Sequence, residues 1–128
     1  MRVFLYEFVT GGGLHHASPN EPPCGSLLAE ASAMVQALAT DLAALPEVEL
    51  VLLHDARLPP FALPARVEVR EVAGVDEEPG VFSAAVRESD AVLLIAPEFN
   101  EHLARRAIHV EEMKARLISP HSEFVAIA

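Results

Sequence analysis

Tryptophan is absent from the 128 residues, and aromatic side chains make up only 5% of them. With a hydrophobic share of 52%, the core must come mainly from Ala, Val, Leu and Ile, the composition of a helix-covered parallel sheet more than of a β-sandwich. Cysteine is reduced to Cys24, which excludes an internal disulfide and fits a reducing, cytoplasmic setting. No CxxC pattern accompanies it to support thiol chemistry. Basic residues are scarce: nine Lys and Arg stand against nineteen Asp and Glu, for a net charge of −10. That balance argues against nucleic acid or an anionic membrane as the main partner. No apolar run approaches the roughly 20 residues that span a bilayer, and Glu7 interrupts the first run, so neither a membrane span nor a signal peptide is expected. Four fingerprints are missing as well. There is no GxGxxG, no Gly-Lys-Ser/Thr of a P-loop, no HExxH and no G-x-S-x-G elbow.

What the chain does have is alternation. Its length suits one domain, and a mean hydropathy of +0.29 is ample for a core. Residues 2–6 read as a buried first strand that breaks into Thr10, Gly11, Gly12 and Gly13. A long loop over residues 7–25 follows, with His15, His16 and three prolines. Ser26 then suits the N-cap of a helix whose apolar stripe is Leu27, Ala31, Met34, Leu38, Leu42 and Leu45, ended by Pro46. Residues 48–53 form a second strand, ending in His54, Asp55, Ala56 and Arg57. The proline-rich residues 58–66 exclude a helix or an interior strand. Val67, Val69 and Val72 mark a third strand, with Glu68 and Arg70 suggesting an edge. A short helix over 81–89 turns Phe82, Ala85 and Val86 inward, and the apolar residues 91–96 form a central fourth strand. A helix over 101–115, a fifth strand over 116–118 and a closing helix complete the pattern. The expected fold is α/β, an open, mostly parallel Rossmann-like sheet of about five strands with helices on both faces, the first strand flanked by the second and the fourth.

In such sheets ligands bind beyond the carboxyl ends of the strands, where strand order reverses. That rule gathers Glu7, Thr10, Gly11, Gly12 and Gly13 after the first strand, Asp55 and Arg57 after the second, and Glu98 and Asn100 after the fourth. Ser119, His121 and Ser122 follow the fifth. The glycines read either as a close-approach loop for an anionic group or as a plain turn. Asp55 sits where dinucleotide folds place a ribose-binding acid, but without the glycine fingerprint a turn-forming Asp is the plainer reading. Glu98, delivered rigidly to the sheet edge by Pro97, reads either as a ligand-binding carboxylate or as a solvated loop glutamate, the latter being the plainer reading. The six histidines give no metal spacing: His15 and His16 are adjacent, and His102 and His109 lie two helical turns apart.

The opening Tyr6-Glu7-Phe8-Val9-Thr10-Gly11-Gly12-Gly13 resembles the start of one group of ATP-grasp carboxylate–amine ligases, those of the tyramine–glutamate ligase type associated with methanofuran biosynthesis. Residues 52–57, 91–98 and 118–128 are similar to three later segments of those enzymes, so four anchors span the chain. The resemblance implies a single pre-ATP-grasp, Rossmann-like domain over residues 1–128, with the ATP-binding domain absent from this chain. It therefore implies ATP and magnesium for the complete ligase and no cofactor here. His54 and His121 depart from the pattern.

Two functional readings follow. The first is the substrate-side domain or subunit of such a ligase, inactive alone, with Gly11, Gly12, Gly13 and Thr10 lining the substrate crevice. Glu7, Glu98 and Asn100 would be its polar contacts. Its partners would be a small-molecule substrate, an ATP-grasp domain or subunit, or a second copy in a homo-oligomer. The alternative is a stand-alone, non-catalytic module that binds a small ligand or another protein. Flavin or nucleotide binding by the fold alone is a weaker third.

Overall fold

The computed structural model describes residues 1–95 of the chain. Four strands, β1 (Arg2–Glu7), β2 (Glu49–Asp55), β3 (Glu68–Val72) and β4 (Ala91–Ile95), pair in parallel in the order β3-β2-β1-β4. The first strand is flanked by the second and the fourth, as expected. The third strand holds one edge of the described sheet. β4 stands at the other end of the described strands, and its expected central place rests on residues beyond them. The fifth strand, the helix over 101–115 and the closing helix expected from the sequence lie outside the described residues.

Strand alternation divides the core into two layers. Val3, Leu5, Leu50 and Leu52 face the helix α2 (Gly25–Ala43), and Phe4, Tyr6, Val51 and Leu53 face α3 (Glu78–Arg87). Helices therefore cover both faces of the sheet. The few aromatics are concentrated on the α3 side. There the fully buried Phe82 meets Phe4 and Tyr6 edge-on, with centroids 5.4 and 4.9 Å away. Burying one such ring contributes about 1.5–3 kcal/mol.

The helices differ from the sequence expectation in three places. The helix α2 begins at Gly25, after an N-cap Cys24 whose side chain makes no capping bond, so Ser26 is already inside the helix. Its buried ridge is Ala31, Val35, Ala39 and Ala43, one step from the predicted stripe. Small side chains sit where the helix lies on the sheet, while Met34, Leu38 and Leu42 splay to half-buried flanks and Leu45 stays 44% exposed. The long first loop contains a short helix, α1 (Leu14–Ala17), and α3 starts three residues before its predicted beginning. Among the described residues no helix is long and apolar enough to cross a membrane.

The close approach of α2 makes a prediction. Ala39→Leu overfills a site with no exposed surface and should cost about 1–3 kcal/mol. Ala33→Leu, on the exposed side of the same helix, should stay within about 0.5 kcal/mol of the parent. Urea denaturation of the two variants checks the pair.

Candidate functional site

At the carboxyl end of β1 the chain reverses within a few residues. The N–H of Gly11 donates to the Glu7 carbonyl at 2.8 Å, and that of Gly13 to the Phe8 carbonyl at 3.0 Å. The Glu7 carboxylate folds back over the same turn. It accepts the N–H of Val9 at 2.9 Å, and the N–H and hydroxyl of Thr10 at 2.6 and 2.8 Å. Burial pushes the Glu7 carboxyl up from its ordinary value, against the pull of these three bonds. Each glycine is required by space. A Cβ on Gly11 would lie 2.6 Å from the Glu7 carbonyl oxygen, one on Gly12 would lie 2.8 Å from the Val72 side chain, and one on Gly13 would press into the Phe8 ring. Gly12 also takes φ +97, open to glycine at little cost.

A second carboxylate fixes the end of β2. Asp55 is fully buried and receives the Arg57 backbone N–H at 2.9 Å and the Arg57 guanidinium at 2.8–3.3 Å. His15 Nε2 stands 3.3 Å from Asp55 Oδ1 and 3.1 Å from the Val72 carbonyl. Both partners are acceptors, so Nε2 of this imidazole carries a hydrogen. Burial alone raises an aspartate, but the hydrogen bonds from Arg57, with the His15 and Arg57 charges, outweigh it and hold Asp55 below its ordinary value. Arg57 also donates to the carbonyls of Ser18 and Glu21 at 2.8 and 2.9 Å, and the Asp55 N–H donates to the Thr10 carbonyl at 2.7 Å.

Two hollows open around this junction. A cleft of about 370 Å³ lies between α2 and the proline-rich segment after β2, with Thr10 in its lining. A more open hollow of about 450 Å³ lies between Arg57, His15 and residues 73–77. The proline-rich wall is held by His54, whose Nδ1 meets Glu71 Oε2 at 2.6 Å and whose Nε2 meets the Pro59 carbonyl at 2.8 Å. On the α3 face the buried Glu78 accepts from the Tyr6 hydroxyl at 3.3 Å and pairs with His16 Nε2 at 2.9 Å.

The structure thus brings Glu7, Thr10, Gly11, Gly12 and Gly13 into one buried turn, with the N–H groups of Gly11 and Gly13 pointing inward. That geometry does not fit a phosphate cradle, which needs those donors turned outward. The Glu7 carboxylate, expected to meet substrate, is engaged within the turn. Asp55 is occupied by Arg57 and His15 rather than open to a ribose. Glu98, Asn100, Ser119, His121 and Ser122 lie outside the described residues. Buried roles for His15, His54 and Glu78 were not legible in the sequence. The histidines follow no motif, and Glu78 sits in what reads as a solvated acidic loop. Among the described residues no group of three or more His, Cys, Asp or Glu is arranged to hold a metal ion.

Comparisons with known proteins agree with this architecture. A family model described as the pre ATP-grasp 3 domain matches residues 48–125, more than half of the chain. A crystal structure from Archaeoglobus fulgidus, ascribed to the ATP-grasp superfamily, aligns with TM-score 0.68 at 22% identity. The alignment covers 98% of this chain and 35% of that one, so this chain spans about a third of that protein's length. At this identity the likeness is one of fold. No curated protein matches the chain.

Two predictions follow from the turn and the carboxylate. Gly13→Ala should destabilise by about 1–3 kcal/mol through its clash with Phe8. Gly80→Ala, in open space inside α3, should stabilise by roughly 0.5–1 kcal/mol. Thermal melts read both signs. Asp55→Asn breaks a buried pair and should cost about 3–5 kcal/mol at neutral pH. Because the folded pKa of Asp55 lies below its unfolded one, its contribution is full above the unfolded value and is lost as pH falls through the folded one. Glu7 has the opposite sign: its contribution is full below the unfolded value and is lost as pH rises through the folded one. Urea denaturation between roughly pH 3 and 7 should therefore show the acid-side loss shrinking in Asp55→Asn.

Proposed function

The chain belongs to the pre ATP-grasp 3 domain family, and from that premise we propose that it is the substrate-side domain of a ligase joining a carboxylate to an amine. In the parent reaction a carboxylate oxygen attacks the terminal phosphate of ATP, giving an acyl phosphate and ADP. The amine nitrogen then attacks the acyl carbon, expelling inorganic phosphate and losing a proton. ATP and magnesium would belong to an ATP-grasp domain or subunit, and no step of theirs passes through the residues described here. The finer assignment, to the tyramine–glutamate ligase type of methanofuran biosynthesis, rests on the Tyr6–Gly13 opening.

The observation that carries this reading is the place of the glycine turn. Strand order reverses between β1 and β4, and the turn leaves β1 there, with Phe8 N–H donating to the Ile95 carbonyl at 3.0 Å. Glu98 and Asn100 follow Ile95 by three and five positions in sequence. In the proposal these two supply polar contacts to substrate, Glu98 to the amine. Glu7, Thr10 and the three glycines set the floor on which substrate rests. The second reading is a non-catalytic module, favoured by the 370 Å³ cleft, whose lining lies entirely within residues 10–61.

The test is to mix the chain with an ATP-grasp partner carrying the nucleotide-binding domains. Sedimentation reads association, including self-association, and phosphate release reads ligation with candidate carboxylates and amines. Association and amine-dependent phosphate release are expected, with kcat/KM falling at least about tenfold in Glu98→Gln, the loss of one charged contact. A chain that neither associates nor restores ligation would leave the module reading standing.

A further inference from the structure

We infer that the cleft between α2 and residues 58–61 is a binding site for an uncharged, apolar group about the size of one ring. Its volume of about 370 Å³ lies near the lower end for small-molecule pockets and suits part of a ligand rather than a peptide helix. It sits beyond the carboxyl ends of β1 and β2 on the α2 face, beside the turn that leaves β1. The inference rests on the substrate-platform reading only for its relation to substrate. Occupancy of the cleft is a property of this chain.

The chemistry of the lining selects the ligand. Among the described residues no ionisable side chain lines the cleft, although the protein carries a net charge of −10. The polar groups present are already bonded to one another. Gln36 Nε2 donates to the Ser32 carbonyl and hydroxyl at 3.1 and 3.0 Å, and its Oε1 accepts the Ala62 N–H at 2.8 Å. Thr10 directs its N–H and hydroxyl to Glu7, and its carbonyl accepts from Asp55. A cation entering here would lose water and find no acceptor side chain in exchange, and an anion would meet only the backbone N–H groups of the uncapped first turn of α2 in a protein of net charge −10, whereas an apolar group only releases water. The walls are Leu28 on one side and Leu58, Pro59, Pro60 and Phe61 on the other.

That second wall is preformed. The two prolines have fixed φ, His54 holds the Pro59 carbonyl, and the Phe61 ring stands edge-on to the His54 ring at 4.7 Å. A wall ordered before binding loses little entropy when ligand arrives.

Amide chemical-shift titration of the chain tests the inference with three probes of one shape: benzyl alcohol, benzoate and benzylammonium. Saturable shifts at Ala29, Gln36 and Phe61 are expected with benzyl alcohol. The two ions should bind at least about tenfold more weakly, since each gives up more hydration than this lining replaces. Ala29→Leu, an exposed helix position on the lining, should fill the cleft and weaken benzyl alcohol at least about tenfold while leaving the thermal midpoint near the parent's. Phe61→Ala, which opens the wall, should weaken it as well. Equal or tighter binding of either ion, absence of saturation by benzyl alcohol, or indifference to Ala29→Leu would overturn the inference. Each of those results leaves the ligase reading to its own association assay, and failure of that assay leaves the cleft's occupancy untouched.

Discussion

The buried carboxylate of Asp55 is the constraint on which the carboxyl edge of this sheet depends. An ionised group with no exposed surface is tolerated only when hydrogen bonds and opposite charge replace its water. Arg57 and His15 do so, and in doing so each ties down more chain. Arg57 reaches the carbonyls of Ser18 and Glu21, and His15 reaches that of Val72. The exits of β1, β2 and β3 are thereby gathered around one charge. A hydrophobic residue at Asp55 would pack, but it would leave those loops without a common anchor.

The glycine turn has to fit inside that anchored frame. Val72, at the end of β3, stands where a Cβ on Gly12 would be, and the Phe8 ring does the same for Gly13. Close packing against the turn's own residues and against Val72 of β3, rather than a need to present backbone to an anion, explains three consecutive glycines. The Glu7 carboxylate then closes the turn from below by accepting two backbone N–H groups. Two acids within one junction are consequently driven in opposite directions, Glu7 up by burial and Asp55 down by the hydrogen bonds and charge around it, those from Arg57 first. The difference lies in the partners: uncharged donors for Glu7, a guanidinium and an imidazole for Asp55.

Much of the layering was legible because periodicity carries it. Alternation in residues 3–6 and 50–53 assigns each side chain to a face, and Phe82, Ala85 and Val86 fall inward as their spacing requires. The α2 ridge was misplaced by one step because apolar size was read as depth. A helix lying close to a sheet puts Ala31, Ala39 and Ala43 at the contact and moves leucines to its flanks. The site was less legible. Thr10 and the glycines were picked out by type, but whether an N–H points inward or outward depends on Phe8 and Val72, and Val72 lies some sixty residues away in sequence. His15, His54 and Glu78 are buried by tertiary pairing that leaves no local pattern, so no reading of adjacent residues finds them.

The arrangement also relates the two places where a ligand would sit. The order reversal lies between β1 and β4, whereas the uncharged cleft lies on the α2 side, toward β2. The turn from Glu7 to Gly13 stands between them, and within it Thr10 lines the cleft while its carbonyl accepts the Asp55 N–H. A turn so fully bonded moves as one body or not at all. A group bound in the cleft would therefore meet a fixed floor shared with the crevice proposed beside β4. Orientation of a substrate spanning both would come from the rigidity of that shared turn, since holding reactants in place needs a support that does not yield.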